Sequence, residues 1–211
     1  MATKQLAGKI PKKGGTQDSK SRKCYDCGGV MNGTRTYYRY TECGLDSVTL
    51  ENIIVYRCSC GAIVPEIPSI GALHREILLS VVKKNKLLSG QEIRFLRKMA
   101  GLSSKDLSSL LGASASTISR WENGSRRISK RSDAALRLVC FVGMLQEILG
   151  DRKLLDMVAE STQQMSEVNI REILSKITDV EGGSVPITID PRELVQFGGG
   201  LASEEITPQI Q

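Results

Sequence analysis

Residues 102–124, LSSKDLSSLLGASASTISRWENG, set the fold of the surrounding chain. Ser103, followed three residues later by Asp106, forms a capping box that predicts the start of a helix. The leucines that come next recur at helical spacing, and Gly112 ends the helix where a left-handed backbone favours glycine. Ser114 then caps a second helix. The stretch therefore predicts two helices joined by a tight turn.

The second helix has an apolar side and a polar side. Ile118 and Trp121 lie three residues apart and are predicted to face the core. The opposite side carries short polar side chains and one arginine. Short side chains let a helix approach the major groove of DNA, and arginine can donate two hydrogen bonds to one guanine. The pattern favours DNA binding over the alternative, a helical hairpin with a solvated polar face.

Residues 111–124 read Leu-Gly-x-Ser-x-x-Thr-Ile-Ser-x-Trp-Glu-x-Gly, which resembles the recognition-helix signature of the Xre/Cro family of helix-turn-helix regulators. The resemblance implies three base-facing positions, Ala115, Ser116 and Arg120. It also implies contacts to phosphate or to the groove edge from Thr117, Ser119 and Asn123. The remaining candidates for DNA binding are nearby basic side chains: Lys105, Arg126 and Arg127.

Charge is distributed unevenly along the 211 residues, which carry a net charge of +6. Residues 85–140 contain eleven Lys/Arg and four acids, and residues 150–211 contain five Lys/Arg and eleven acids. Positive charge around the helix-turn-helix favours nucleic acid as the partner. Arg94 and Arg97, on the preceding helix, are expected to face outward.

No apolar run approaches the roughly 20 residues that a membrane span needs. The first residues also lack the apolar core of a signal peptide. These features predict a cytoplasmic protein with no membrane partner.

Two closely spaced cysteine pairs predict a metal site. Strands over 30–41 and 47–57, joined by a turn at Gly44, form an antiparallel hairpin that brings the pairs together. Six cysteines in a cytosolic chain favour metal ligands or buried thiols over disulfides. We predict a structural Zn²⁺ site without an open coordination position, held by Cys24, Cys27, Cys58 and Cys60.

Two alternatives remain for these cysteines, a redox-active pair and reduced thiols without metal. The CxxC motif lacks a surrounding βαβ pattern, which disfavours the redox interpretation. The second pair is CxC, whose loop is tighter, so Cys43 is the fallback fourth ligand. Cys43 lies beside the predicted turn and is therefore expected at the far end of the sheet. Cys140 lies on an apolar helix face and is expected in the core.

The chain divides into four predicted segments. Residues 1–23 form a disordered basic tail, and 24–84 form a zinc-binding β-hairpin domain with a C-terminal helix. Residues 85–149 form an Xre-type five-helix helix-turn-helix domain, and 150–211 are helical and then a disordered acidic tail. The predicted fold is mainly α, with a small N-terminal β zinc ribbon and flexible ends. The apolar stripe around Phe141 exceeds what one small domain must cover, so it either closes the bundle or pairs with a second copy.

This order of motifs over residues 24–145 resembles the MqsA-like antitoxin regulators, in which a YgiT-type zinc finger precedes an Xre-type helix-turn-helix. The resemblance implies a cytoplasmic, nucleoid-associated prokaryotic protein. It implies a homodimer on a palindromic operator of double-stranded DNA, and a cognate toxin protein as a further partner of the zinc domain. No toxin-contacting motif is apparent in the sequence.

Two functions are therefore expected. The first is a zinc-stabilised, dimeric, sequence-specific transcriptional repressor of the antitoxin type. The alternative is a protein-interaction module or antitoxin whose zinc domain binds a toxin, with DNA binding secondary. An enzyme is not expected, because no nucleophile–base constellation is present and the lone His74 lacks a carboxylate or cysteine partner at a recognisable spacing.

Overall fold

The computed structural model describes the backbone of residues 16–149, 153–178 and 187–190. Its strands are β1 (Thr16–Lys23), β2 (Val30–Arg39), β3 (Val48–Arg57), β4 (Ile63–Pro65) and β5 (Ile187–Ile189). Its helices are α1 (Ile70–Lys83), α2 (Gly90–Met99), α3 (Ser104–Leu111), α4 (Ala115–Glu122), α5 (Lys130–Leu149), α6 (Lys153–Gln164) and α7 (Glu167–Thr178). No helix among the described residues is long and apolar enough to span a membrane.

The strands form one sheet in the order β1-β2-β3-β4, with antiparallel neighbours. The predicted hairpin of β2 and β3 is confirmed at its centre. The outer edge of β3 pairs with two strands placed end to end. Its Val55–Arg57 half pairs with β4, and its Val48–Leu50 half pairs in parallel with β5.

A bulge at Asn52 lets β3 present apolar residues to the core on both sides of the irregularity. Thr36 lies opposite Ile53 and Tyr38 lies opposite Leu50, so β3 has one extra residue between these pairs. Asn52 has a φ of 60°, which asparagine tolerates better than most residues. Leu50 and Ile53 consequently both belong to the main core.

The prediction that residues 1–23 are disordered is wrong for Thr16–Lys23, which form β1 against β2. Residues 1–15 lie outside the described part. The strand is polar, so no apolar alternation marks it in the sequence. Contacts of its long side chains stabilise it: Lys20 Nζ lies 3.3 Å from Glu66 Oε1, and the Arg22 guanidinium lies over the ring of Tyr56.

The C-terminal segment is helical at α6 and α7, but its predicted disordered tail is wrong at Ile187–Ile189. Ile187 and Ile189 pack against the main core, while Thr188 between them is exposed. Three residues are too short a run for a period-two pattern to be recognised in a sequence. Residues 179–186 and those from 191 onward lie outside the described residues.

One hydrophobic core extends through the sheet and the helices, so the predicted boundary at residue 84 does not separate two packed units. The main core includes Val48 and Leu50 of β3, Leu73 of α1 and Phe141 of α5. Helix α1 contacts β5 on one side and α2, α5 and α7 on the others. The composition of the segment after α1 does not reveal this continuous core, because α1 buries apolar residues against both parts of the chain.

Helices α6 and α7 cover the apolar stripe of α5. Both pack against α5, and Phe141 is buried within the same chain. Gln163 of α6 also donates to the carbonyl oxygens of Ser109 and Leu110 at the end of α3. The stripe therefore closes the bundle, and it supplies no reason for a second copy.

A buried arginine of α5 holds the segment that follows α1. The Arg137 guanidinium, 2% exposed, donates to the backbone carbonyls of Val81, Val82, Lys84 and Lys86 at 2.6 to 2.9 Å. Its Nε donates to Asp133 Oδ2 at 2.9 Å. Asp133 is fully buried, and its Oδ1 accepts from the Leu88 N–H at 2.8 Å. The Arg137–Asp133 ion pair thus supplies hydrogen-bond partners to the carbonyl groups at the end of α1 and to an N–H group just before α2.

We predict that Arg137→Met lowers the free energy of unfolding by about 3–5 kcal/mol, because it leaves a buried carboxylate and several carbonyl groups without a partner. Urea titration followed by circular dichroism measures the change. Arg75→Met, at an exposed position of α1, is the matched control and should change stability by less than about 0.5 kcal/mol. Equal effects of the two substitutions would contradict the role assigned to Arg137.

Candidate metal centre and nucleic-acid interface

The first cysteine pair lies on a tight turn between β1 and β2. The Cys24 N–H donates to the Gly29 carbonyl at 2.8 Å, and the Gly28 N–H returns to the Cys24 carbonyl at 3.0 Å. Gly28 has a φ of 71°, a left-handed conformation that favours glycine. The turn presents the thiols of Cys24 and Cys27 in the same direction.

The second pair lies on an equivalent turn between β3 and β4 that is one residue shorter. The Cys58 N–H donates to the Ala62 carbonyl at 2.9 Å, and the Gly61 N–H donates to the Cys58 carbonyl at 3.0 Å. Gly61 follows Cys60 directly and has a φ of 99°. The shorter spacing of the CxC motif is therefore accommodated by a tighter turn, and both thiols still reach the first pair.

The four sulfur atoms have the spacing to hold one metal ion, since all lie within 4.8 Å of one another. Cys24 Sγ lies 3.7 Å from Cys60 Sγ, and Cys27 Sγ lies 3.5 Å from Cys58 Sγ. A disulfide would require about 2.05 Å. Four ligands at the usual Zn–S distance of about 2.3 Å form a tetrahedron whose edges are about 3.8 Å. The observed separations fit such a tetrahedron.

Backbone N–H groups favour the thiolate form of these cysteines. The N–H of Cys60, with hydrogen bonding to Cys27, lowers the pKa of Cys58 to about 6. The N–H of Ala62 favours the Cys60 thiolate, but hydrogen bonds shared with the Cys58 and Cys27 sulfurs raise the pKa of Cys60 to about 12. Four thiolates this close repel one another, so full deprotonation requires a cation among them.

The other two cysteines lie away from this group. Cys43 is half-buried at the opposite end of the hairpin, where its thiol contacts the Tyr40 carbonyl at 3.6 Å. Cys140 is fully buried in α5, and burial raises its pKa to about 12. The arrangement leaves no reason to invoke Cys43 as a fallback ligand.

The helix-turn-helix is formed by α3 and α4 with the predicted caps. Ser103 and Asp106 make both hydrogen bonds of a capping box, and Ser114 accepts from the Thr117 N–H. Gly112 ends α3 with a φ of 61°. Ile118 and Trp121 are buried, as their spacing predicts, and belong to the main core. The opposite side of α4 is consequently left to solvent.

The nine predicted DNA-binding residues lie on and around this side. Thr117 is half-buried, and its hydroxyl lies 2.9 Å from that of Ser114 in the N-cap. The others are exposed: Lys105, Ala115, Ser116, Ser119, Arg120, Asn123, Arg126 and Arg127. Their contacts with DNA stay predictions, since exposure alone does not distinguish a binding face from a solvated one.

The basic loop after α4 folds back against that helix. The Arg126 N–H and the Ser125 hydroxyl both donate to the Arg120 carbonyl, at 3.1 and 3.3 Å. Asn123 Oδ1 accepts from the Ser125 N–H at 3.0 Å, which fixes the turn. These contacts hold the backbone of the loop arginines beside the C-terminal end of α4, where Arg120 also lies.

An ion pair that the sequence did not reveal orients α4 against α2. Arg97 donates through Nε and Nη2 to the two carboxylate oxygens of Glu122, at 2.5 and 3.2 Å, and through Nη1 to the Leu102 carbonyl at 2.8 Å. The expectation that Arg97 faces outward is wrong, because its side chain is only 14% exposed. Arg94, at 51%, faces outward and touches Glu122 at 3.5 Å. In the sequence, the glutamate of the Trp-Glu-x-Gly signature, Glu122, was the feature that could have indicated this ion pair.

Comparison with known proteins supports the class of this domain. Residues 93–132 match the helix-turn-helix family HTH_3, a family of Xre-type DNA-binding domains. The match spans α2, α3 and α4 and the start of α5. No curated protein and no solved structure matches the chain. The chain thus carries an Xre-type helix-turn-helix domain, which implies DNA binding, beside a four-cysteine cluster.

We predict one zinc ion per chain, lost on Cys58→Ser or Cys60→Ser and retained in Cys43→Ser, the matched control. Metal analysis of the purified full-length variants measures this. Cys24 belongs to a small cluster with Met31, separate from the main core. Metal loss should therefore loosen the cysteine end of the sheet while the helical circular dichroism signal remains. Full metal content in Cys58→Ser and in Cys60→Ser would contradict the assignment of these residues as ligands.

Proposed function

We propose that the protein is a sequence-specific, DNA-binding transcriptional repressor. The observation that carries the proposal is the exposed polar side of α4, which lies next to the basic loop within the region matched by the helix-turn-helix family. A helix of this kind reads base edges in the major groove through side chains on one face, while flanking basic groups contact phosphates.

The residues divide into reading and positioning groups. Ser116 and Arg120 lie four residues apart and share one face of α4. With Ala115 they are proposed to read bases, and arginine there suits a guanine. Phosphate or groove-edge contacts are proposed for Lys105, Thr117, Ser119, Asn123, Arg126 and Arg127. For Asn123 the amide NH₂ is the donor, because its oxygen accepts within the turn.

The cysteine cluster is proposed to bind structural Zn²⁺. Support comes from the sulfur separations and from the N–H groups that favour thiolates. A four-thiolate set suits zinc and leaves no position for a substrate. The ion would link the turn after β1 to the turn after β3. It would therefore stabilise the end of the sheet that carries the two cysteine pairs.

Binding of two copies to a palindromic operator is proposed from the resemblance to MqsA-like regulators and from the two-fold logic of such domains. The stripe around Phe141 is not the proposed interface, because Phe141 is already buried within the chain. We expect two chains per operator in sedimentation of the complex. A complex with a single chain on a full-length palindrome would refute this arrangement.

A second candidate function is capture of a partner protein, such as a toxin, by the zinc domain. The observation that favours it is a group of exposed apolar side chains at the cysteine end of the sheet. Tyr25 is 80% exposed, Val30 66% and Ile63 48%. Exposed apolar residues grouped beside a structured site are typical of protein interfaces. An antitoxin-like protein would combine this surface with operator binding.

We predict that Arg120→Ala weakens operator binding by about ten-fold to a hundred-fold and relaxes preference at one base position per half-site, because one bidentate arginine–guanine contact discriminates by about 1–3 kcal/mol. Arg126→Ala and Arg127→Ala are the comparison variants. They should weaken binding to operator and scrambled DNA alike and reduce the salt dependence, because phosphate contacts carry no sequence information.

The measurement is a titration of each full-length variant against operator and scrambled DNA at two salt concentrations, with the operator obtained by selection from random sequence. If Arg120→Ala lowers both affinities equally and specificity survives, Arg120 contacts the backbone and the assigned reading face is wrong. If no sequence is enriched in the selection while the zinc domain captures a protein partner, the second candidate replaces the first.

A further inference from the structure

A cavity of about 180 Å³ lies where the end of α1 meets α5 and α7. Four of its lining residues are basic, two are polar and uncharged, and two are apolar. In that order they are Lys83, Lys84, Arg137 and Arg171, then Asn85 and Ser175, then Val82 and Leu174. No acidic residue of the described part of the chain lines the cavity. The lining is therefore positively charged, which suits an anionic ligand.

Two of the basic side chains are held by partners of their own. Arg137 is 2% exposed, its Nε donates to Asp133, and its Nη groups donate to the carbonyl groups at the end of α1 and just after it. Lys84 Nζ lies 2.6 Å from Glu92 Oε1. Arg137 and Lys84 therefore form a fixed wall of the cavity, and the direct contacts to a ligand fall to the other two cations.

Lys83 and Arg171 retain the capacity to bind a ligand. Lys83 is half-buried and makes no ion pair with any residue that the structure describes. Arg171 is anchored through its Nε, which lies 2.9 Å from Glu167 Oε1. Its Nη2 lies 3.7 Å from Asp133 Oδ2, which is beyond hydrogen-bond distance. The Nη groups of Arg171 can therefore donate to a ligand while the Glu167 contact holds the guanidinium in place.

The donors of Lys83 and Arg171 match a phosphate group better than a carboxylate. The ammonium of Lys83 and the two Nη groups of Arg171 offer more N–H donors than the two oxygens of a carboxylate require. A phosphate group presents at least three strong acceptor oxygens. Proteins bind phosphate with the planar fork of arginine and the point charge of lysine, and both kinds of donor line this cavity.

The volume of the cavity limits the size of the ligand. A volume of about 180 Å³ corresponds to about six water molecules, at about 30 Å³ each in the liquid. Pockets for drug-sized ligands are larger, at about 300–1,000 Å³. The cavity therefore admits a phosphate group with at most a short carbon chain, and it is too small for a nucleotide.

We propose that this cavity is a binding site for a small phosphate-bearing anion, held by Lys83 and Arg171 against the wall that Arg137 forms. One of the two cations comes from α1 and the other from α7, so the anion would link these helices. The site uses no residue of α4 or of the basic loop. It is therefore independent of the proposed DNA binding.

Inorganic phosphate tests the site by thermal unfolding of the full-length protein at constant ionic strength, with chloride as the balancing anion. An anion that binds only the folded chain raises the melting temperature in a saturable way. Lys83→Gln and Arg171→Gln should each weaken the apparent Kd for phosphate by about ten-fold or more, because each removes a charge-assisted contact to the ligand.

Two control variants separate the cavity from the rest of the surface. Lys176→Gln changes an exposed lysine of α7 outside the cavity, and Arg127→Gln changes the basic loop that is proposed to contact DNA. Both should keep the wild-type response to phosphate. Glycerol phosphate is the second probe. Tighter binding of this ester identifies a phosphate ester as the ligand, and tighter binding of inorganic phosphate identifies the free ion.

The proposal is overturned if the wild type shows no saturable response, or if both cavity variants respond as the wild type does. The second result is expected from general exclusion of phosphate from protein surfaces. A response lost in Arg127→Gln but kept in Lys83→Gln would place phosphate on the proposed DNA-binding face instead. An equal response to acetate would overturn the choice of phosphate. If Arg171→Gln does not fold, Lys83→Gln decides, because Lys83 has no ion pair within the described residues to lose.

Discussion

The structure depends on how the chain leaves α1. Four carbonyl groups near the end of that helix and in the following segment lie in buried or partly buried positions, where unpaired carbonyls are unfavourable. The two Nη groups of Arg137 donate to these carbonyls. Its Nε donates to Asp133, which balances the charge and accepts from the Leu88 N–H. Arg171 of α7 also approaches Asp133, at 3.7 Å. The end of α1, the segment before α2 and helix α7 thereby meet at one buried ion pair of α5.

Local rules predicted the helix-turn-helix well because its determinants lie within a few residues of one another. The capping box at Ser103, the left-handed Gly112 and the inward Ile118 all agree with the sequence prediction. The cysteine cluster was predictable for a different reason. Its two pairs are distant in sequence, but a single hairpin with a regular register brings them together.

The remaining features were hidden because they depend on partners far along the chain. Arg137 has one local partner, Asp133, but the carbonyl groups that it satisfies lie 51 to 56 residues earlier in the chain. Arg97 and the exposed Arg94 are the same residue type on one helix, and only the tertiary packing that buries Arg97 against Glu122 and the Leu102 carbonyl separates them. Strand β1 is polar and β5 very short, so both are recognised only from the neighbouring strand. The continuity of the core across residue 84 was hidden for the same reason.

The close approach of α2 and α4 bears on how such a domain can change its target. A Cβ added at Gly90 would lie 2.4 Å from the Glu122 carbonyl oxygen, so the start of α2 abuts the end of α4 without space for a side chain. Together with the Arg97–Glu122 pair, this contact fixes the rotation of α4 about its own axis. The residues that hold this frame, Gly90, Arg97 and Glu122, are different from the outward side chains of α4. An outward side chain of α4 can therefore be exchanged while the packing that sets the orientation of the helix stays unchanged.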